Sequence, residues 1–392
     1  MTLAAMLHPS FLRLYRDAAL RVATGELTVL FPPALDPREV AMGGVPYMCF
    51  DLENALPNDM DGVLRILSQL TFAHALFAVE GDTLRPLDKN AVYYLDESLS
   101  SLLKYTGKTN ERFTRLLLQL ATLSNAVCRK LSTTVNVTAQ AVTSTAPAAL
   151  AAPLRILDPL AGKGTTLFEA LMHGHHAYGI EADTQYPAEA DRYLKKFLET
   201  ARYKFITHQE RISGTHPQTS PHNTSEHTPK CSGAKSHGAE SKPQKFTATR
   251  HQVTLAPDKE AMKSNPRQFE IIHGDTRHAA HFYKKHFFDA IVADLPYGVQ
   301  HGASPGAKKP SGSITRNAAQ LLQEALPQWR KVIKNGGTIV LSWNRFLIPR
   351  AQMEALLEAH GFAPSPEVAA LDFSHRVDQA IDRDVIVGVT TL

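Results

Sequence analysis

Cysteine is scarce in this 392-residue chain. The three present, Cys49, Cys128 and Cys231, lie far apart. No pair has the spacing of a zinc site or a disulfide framework, so no metal is expected and a reducing cytoplasm is the simplest setting. Long apolar runs are absent too, which excludes a helical membrane span. The opening residues, MTLAAMLHPSFLRLYRDAALRVATGEL, carry their charges inside a helix-like pattern rather than ahead of an apolar stretch. They do not read as a secretory signal. Strong net charge is lacking as well. At +4 the balance permits a nucleic-acid partner without arguing for one. An apolar fraction of 43% is ordinary for a folded chain. The length allows two domains, or one domain with large additions.

Large apolar residues are thin between Thr207 and Pro266, a segment rich in Ser, Thr, His, Pro and Lys. Such composition buries too little surface to offset chain entropy, and a disordered insertion is expected at about 207–266. Its histidines are irregularly spaced, which argues against a metal tract. A shorter Ala- and Thr-rich linker is expected over Thr134–Pro153.

From Leu154 onward, strand and helix signals alternate. Strands are expected at 154–158, 176–180, 269–273, 288–294 and 337–343, and a terminal pair at 368–373 and 383–391. Helices are expected at 164–174, 187–203, 277–285, 317–333 and 349–360. Apolar strands alternating with amphipathic helices give a mostly parallel sheet covered on both faces. Ligands of such sheets sit beyond the C-terminal strand ends. Those ends are acidic here: Asp158, Glu181, Asp275 and Asp294 stand at or just after four of them. Capping explains one such acid easily and four less easily.

The first acid opens Asp158-Pro159-Leu160-Ala161-Gly162-Lys163-Gly164-Thr165. Gly162 and Gly164 let the backbone turn tightly and approach a ligand closely. Glu181 can accept from both hydroxyls of a ribose, and Asp275 from an adenine amino group. Together they describe a pocket for an adenosine-containing ligand. The phosphate-loop pattern fails, because Gly162-Lys163-Gly164 breaks it after the lysine. The dinucleotide pattern fails at Leu167, where a third glycine would stand.

These motifs carry a resemblance. LDPLAGKGTTLFEA is similar to the first motif of S-adenosylmethionine-dependent amino-methyltransferases, GIEAD to their second and HGD to their third. ADLPYG, at 293–298, resembles the motif of enzymes that methylate exocyclic amino groups of bases, with Leu295 where proline is commoner. The glycine after the aromatic and the motif order resemble the RNA branch, including the tRNA guanosine-N2 methyltransferases related to THUMP-domain enzymes. The resemblance implies a Rossmann-like methyltransferase fold with an antiparallel C-terminal strand. It implies S-adenosyl-L-methionine as cofactor, held by Asp158, Pro159, Gly162, Gly164, Thr165, Glu181 and Asp275. It implies RNA, above all tRNA, as partner. Catalysis falls to Asp294, Leu295, Pro296 and Tyr297. The Asp294 carboxylate and a carbonyl of Leu295 or Pro296 would accept the two N–H bonds of the amine and stabilise its growing charge. Pro296 would fix the turn, and Tyr297 would stack on a base turned out of its helix. A DNA amino-methyltransferase and a catalytically silent RNA-binding relative are the alternatives.

Other residues read more plainly. His173, His175 and His176 suggest a polar surface turn, and Arg383 with Asp384 an exposed pair. Trp343 and Asn344 could touch substrate or pack at the rim. Residues 1–105 are expected to form a small α/β module with a helix at 9–24 and a β-α-β unit over 47–79. Residues 106–392 would form the catalytic domain. Its first helix, near Lys108–Leu123, presents Phe113, Leu116, Leu117 and Leu120 to a core, and its start is expected near the methionine end of the cofactor.

Overall fold

The computed structural model describes residues 1–32, 34–52, 60–89, 93–101, 109–124, 153–216, 244–297, 318–366 and 368–391. The linker expected at 134–153 lies outside the described residues except for Pro153.

Strands β1 (Thr2–Leu7), β2 (Ala34–Met42), β3 (Val45–Leu52), β4 (Ala73–Glu80) and β5 (Thr83–Leu87) form one sheet in the order β2-β3-β1-β4-β5. β1 pairs antiparallel with both β3 and β4. The expected β-α-β unit is therefore real but split: β3, the Met60–Leu67 helix and β4 run as foreseen, with β1 inserted between the strands. The single helix expected at 9–24 is two, Pro9–Tyr15 and Ala19–Leu30, broken where Arg16 takes a positive φ of 48°.

The second sheet contains β6 (Arg155–Asp158), β7 (His176–Glu181), β8 (Lys204–His216), β9 (Gln244–Ala256), β10 (Arg267–His273), β11 (Phe288–Asp294), β12 (Ile333–Asn344), β13 (Phe362–Pro364), β14 (His375–Arg376) and β15 (Asp382–Thr390). Its order is β13-β15-β12-β11-β6-β7-β10-β9-β8, with β14 paired to β15. The strands from β10 through β12 are parallel, and β15 runs antiparallel beside β12. This is a Rossmann-like α/β fold with an antiparallel C-terminal strand. The chain winds outward from β6 in both directions, so a crevice opens at the C-terminal ends of β6 and β11.

Two expectations fail. Residues 368–373 are turn and irregular chain, not a strand. Their apolar alternation is used to anchor Val368 and Phe373 in the core, while the Asp372 carboxylate accepts from the Ser374 N–H at 2.9 Å and closes a turn. The disordered insertion at 207–266 is also wrong over much of its length. β8 and β9 form a long antiparallel hairpin, and β9 pairs with β10. Asp258 then caps a short helix, Lys259–Ser264. Averaged composition hid a period of two. Val253 and Leu255 are 0% exposed, whereas Gln252 and Thr254 face the other way and bond Glu270 at 2.7 Å and Gln268 at 3.0 Å. Residues 217–243, the rest of that segment, lie outside the described residues.

The Glu111–Leu123 helix joins the two sheets. Its Leu116, Leu117 and Leu120 belong to one apolar cluster that also holds Val22, Leu27 and Leu64 from the N-terminal part and Ala170, Ala290 and Val340 from the C-terminal part. Polar ties reinforce it: Gln119 donates to the Gln69 carbonyl at 2.6 Å and Arg112 to the Thr71 carbonyl at 2.8 Å. No helix among the described residues is long and apolar enough to cross a membrane.

Candidate active site

β6 ends at Asp158, and the chain then folds into the loop 159–164. Asp158 is 3% exposed and accepts from the Leu160 N–H at 3.0 Å. Both glycines take positive φ, 52° at Gly162 and 92° at Gly164, as the loop requires. Gly164 then starts the helix Thr165–Met172, its N–H returning to the Ala161 carbonyl at 2.8 Å. Pro159 and Thr165 are buried beside it.

Glu181, at the end of β7, holds this loop from across the crevice. One carboxylate oxygen accepts from the Gly162 N–H at 2.7 Å and the other from the Asp183 N–H at 2.7 Å. Asp275 follows β10, and both its oxygens are engaged by the Arg277 guanidinium, which also reaches Glu324 at 2.7 Å. Burial alone would raise the Asp275 carboxyl, but the Arg277 hydrogen bonds bring it below its usual value.

β11 ends at Asp294. Thr109 Oγ1 donates to it at 2.9 Å, and the Tyr297 hydroxyl donates to its other oxygen. The turn that follows is fixed from β12: the Leu295 N–H donates to the Ser342 carbonyl at 2.8 Å, and Asn344 donates to the Tyr297 carbonyl at 3.3 Å. Leu295 is buried, while Pro296 and Tyr297 are partly exposed. The Tyr297 hydroxyl itself is buried and held far up its titration range, first by burial and then by the Asp294 charge. Gly298 lies outside the described residues.

Of the eleven residues expected here, Glu181 and Asp294 both stand close enough to Asp158 to repel it. Burial, with the Glu181 and Asp294 charges adding to it, pushes the Asp158 carboxyl up to about 7. Burial raises Glu181 as well. The crevice thus gathers carboxylates around Asp158, with Arg383 near Asp294 and Arg277 on Asp275. Among the described residues no group of three or more His, Cys, Asp or Glu is arranged to hold a metal ion.

Several sequence expectations change. Arg383 is not exposed. It is 7% exposed, with its guanidinium 4.3 Å from the Phe113 ring and 4.9 Å from the Tyr297 ring. One face of Tyr297 is therefore covered. Asp384 is fully buried and pairs with Arg350 at 3.0 Å. Trp343 and Asn344 are buried, with Trp343 donating to the Ile348 carbonyl at 2.7 Å. His173 and His175 are buried, not surface turn; neutral imidazole fits where burial disfavours the charge. The start of the Glu111–Leu123 helix touches Asp294 through Thr109. Thr109, Ser342 and Arg383 carried no sequence signal of their own. Only pairing across distant strands brings them to the 294–297 turn.

No family model matches the sequence, and no curated protein matches it. Solved structures similar to the chain include a TehB-like SAM-dependent methyltransferase from Corynebacterium glutamicum, at 11% identity and a TM-score of 0.31, covering 62% of this chain and 83% of that one. Another is magnesium protoporphyrin IX methyltransferase from Synechocystis, with SAM bound, at 11% identity and a TM-score of 0.31, covering 73% of this chain and 87% of that one. A third is an rRNA methylase from Streptococcus thermophilus, at 10% identity and a TM-score of 0.30, covering 61% of this chain and 88% of that one. Likeness at this level transfers neither activity nor substrate.

Proposed function

We propose that the protein is an S-adenosylmethionine-dependent methyltransferase acting on an exocyclic amino group of a nucleobase, guanosine N2 in tRNA being the reading its motifs favour. The observation that carries this reading is the Asp294 carboxylate, held at the end of β11 by Thr109 and Tyr297 and facing the same crevice as Asp158 and Glu181. A sulfonium and an ammonium group suit that crevice, because their charge offsets the mutual repulsion of the acids. The Gly162 and Gly164 turn leaves room for close backbone approach; at Gly162 even an added Cβ would meet nothing within 4 Å.

The cofactor supplies an electrophilic methyl group on sulfur. Asp294 accepts an N–H of the amine, and a carbonyl of the Leu295–Pro296 turn accepts the other. With both N–H bonds held in this way, the nitrogen lone pair would be left free to accept the methyl group. Asp294 would stabilise the charge developing on nitrogen and then take its proton or relay it to water. Thr109 and Tyr297 each bond one carboxylate oxygen and leave lone pairs for the substrate. The N-terminal sheet, in this reading, helps to recruit the RNA.

The test is methyl transfer from labelled S-adenosylmethionine to bulk tRNA, with DNA in parallel and mass spectrometry of the product nucleosides. Asp294→Ala should lower turnover about 100- to 1000-fold while cofactor affinity hardly moves. Full transfer by that variant would overturn the mechanism. Transfer to DNA alone would move the substrate, and failure to bind S-adenosylmethionine in calorimetry would point to a silent relative.

A further inference from the structure

Next to the 294–297 turn, on the N-terminal side, lies a second chemical feature. The segment 71–74 presents three successive carbonyls. Thr71 O accepts from Arg112 at 2.8 Å, Phe72 O from the His8 N–H at 2.7 Å, and Ala73 O from Lys89 Nζ at 3.0 Å. The His74 ring meets the His8 ring edge-on at 4.8 Å. Four basic side chains are thus gathered on one short stretch. Lys89 and His74 are exposed, and His8 and Arg112 are half-buried. Among the described residues no carboxylate forms an ion pair with Lys89 or Arg112. The acids whose charge reaches them are Glu97 and Glu26 for Lys89, and Glu111 and Glu26 for Arg112. Glu26 is turned inward, both its oxygens bonded to Thr71. The crowding is felt: burial, then the neighbouring basic groups led by Arg112, bring His8 down to about 4.

Lys89 and Arg112 repel each other in a partly desolvated place, and neither has a carboxylate in an ion pair among the described residues. An anion would relieve them. Each carbonyl bond uses only part of the Arg112 fork and the Lys89 ammonium, and the remaining donors suit phosphate oxygens. Arg112 stands three residues beyond Thr109, which bonds Asp294, so its backbone lies within about 11 Å of that of Thr109. A nucleotide seated at Asp294 would bring its neighbouring phosphates to that distance.

We infer that Lys89 and Arg112, with His74 beside them, form a phosphodiester-binding site that holds the backbone of the RNA flanking the nucleotide at Asp294. This rests on the reading of the protein as an RNA methyltransferase, but its test does not use methyl transfer.

The probe is end-labelled bulk tRNA, followed by fluorescence anisotropy without cofactor over a range of salt. Removing two phosphate contacts with the double variant Lys89→Gln, Arg112→Gln should flatten the plot of log affinity against log salt by about 1.4. At 0.1 M salt binding should weaken about 10- to 30-fold. Lys89→Gln alone changes an exposed side chain and should give about half the slope change, so a folding defect at Arg112 cannot hide the result. Lys89→Arg should keep the parental slope. Asp294→Ala removes a contact to the base and none to a phosphate, so its salt slope should stay parental even if affinity falls, which separates this site from the reacting centre. An unchanged slope in both glutamine variants would overturn the inference. So would displacement of tRNA by millimolar inorganic phosphate at constant ionic strength, since that would assign the site to free phosphate. If no RNA proves to be methylated, the proposed activity fails while these binding results still decide the site.

Discussion

Two deletions in the β8–β9 region should behave oppositely. The first joins the chain across 217–243 with a turn of about four residues. His216 and Gln244 are paired across the hairpin, so a short turn can close it without moving either strand. The composition of 217–243 offers little to a core, and shortening the connection to about four residues lowers closure entropy by about 1–2 kcal/mol. Stability should hold or rise slightly. The second removes Ile212–Asn265. It takes away all of β9, which pairs with β10 from Arg267↔Leu255 to His273↔Thr249, and with it the fully buried Val253 and Leu255. Two aliphatic side chains are together worth about 3–6 kcal/mol. Phe269 and Ile271 of β10, both buried, lose cover in addition. Set against the 5–15 kcal/mol that typically holds a domain together, roughly half is lost. Urea denaturation followed by circular dichroism should show a near-parental midpoint for the first variant and a collapsed one for the second. A parental midpoint after removal of β9 would refute the assignment of that strand to the core. A loss above about 2 kcal/mol from the shorter deletion would show that 217–243 packs against the fold.

Arg383→Gln removes a buried guanidinium from between the Phe113 and Tyr297 rings. It should cost about 2–4 kcal/mol, with Arg383→Lys recovering only part because ammonium lacks the flat fork; an unaltered denaturation midpoint would dismiss the contact. Gly179→Ala places a Cβ 2.8 Å from Leu167 Cδ1 and 2.9 Å from Ala161 Cβ beneath the 159–164 loop. A cost of about 1–3 kcal/mol is expected, together with weaker S-adenosylmethionine binding in calorimetry; parental affinity would show that the loop does not sense its floor. Burial holds His375 down at about 4 from an ordinary 6.5. The unfolded chain therefore takes up this proton first, and the contribution of His375 to stability, present above about pH 6.5, is lost as pH falls toward 4. His375→Phe, set among Tyr15 and Phe113, should flatten the acid side of the melting profile, and an identical acid slope would refute the assignment.

The local signals in the chain determined a good deal. Apolar runs such as Ala290–Ala293 define buried parallel strands, and Gly162 and Gly164 define a turn because other residues resist positive φ. From strand and helix order alone follow the sheet class and the edge where Asp158, Glu181 and Asp294 gather. Amphipathic spacing likewise marked Phe113, Leu116, Leu117 and Leu120 as core.

What lay beyond the sequence depended on partners far away in the chain. β9 is a strand because β10 offers it a paired edge and a dry face, a condition its own polar composition conceals. Residues 368–373 alternate like a strand but find none to pair with, so Phe373 packs under Gly25 instead. Arg383 reads as a surface charge until β15 is laid beside β12 and the Glu111–Leu123 helix supplies Phe113. Thr109 reaches Asp294 across 185 positions of sequence, and Lys89 joins Arg112 only over the carbonyls of 71–73. Hydrophobic periodicity is a property of a few neighbouring residues; burial and electrostatic neighbourhood depend on which other elements arrive, and that is settled only when the chain has packed.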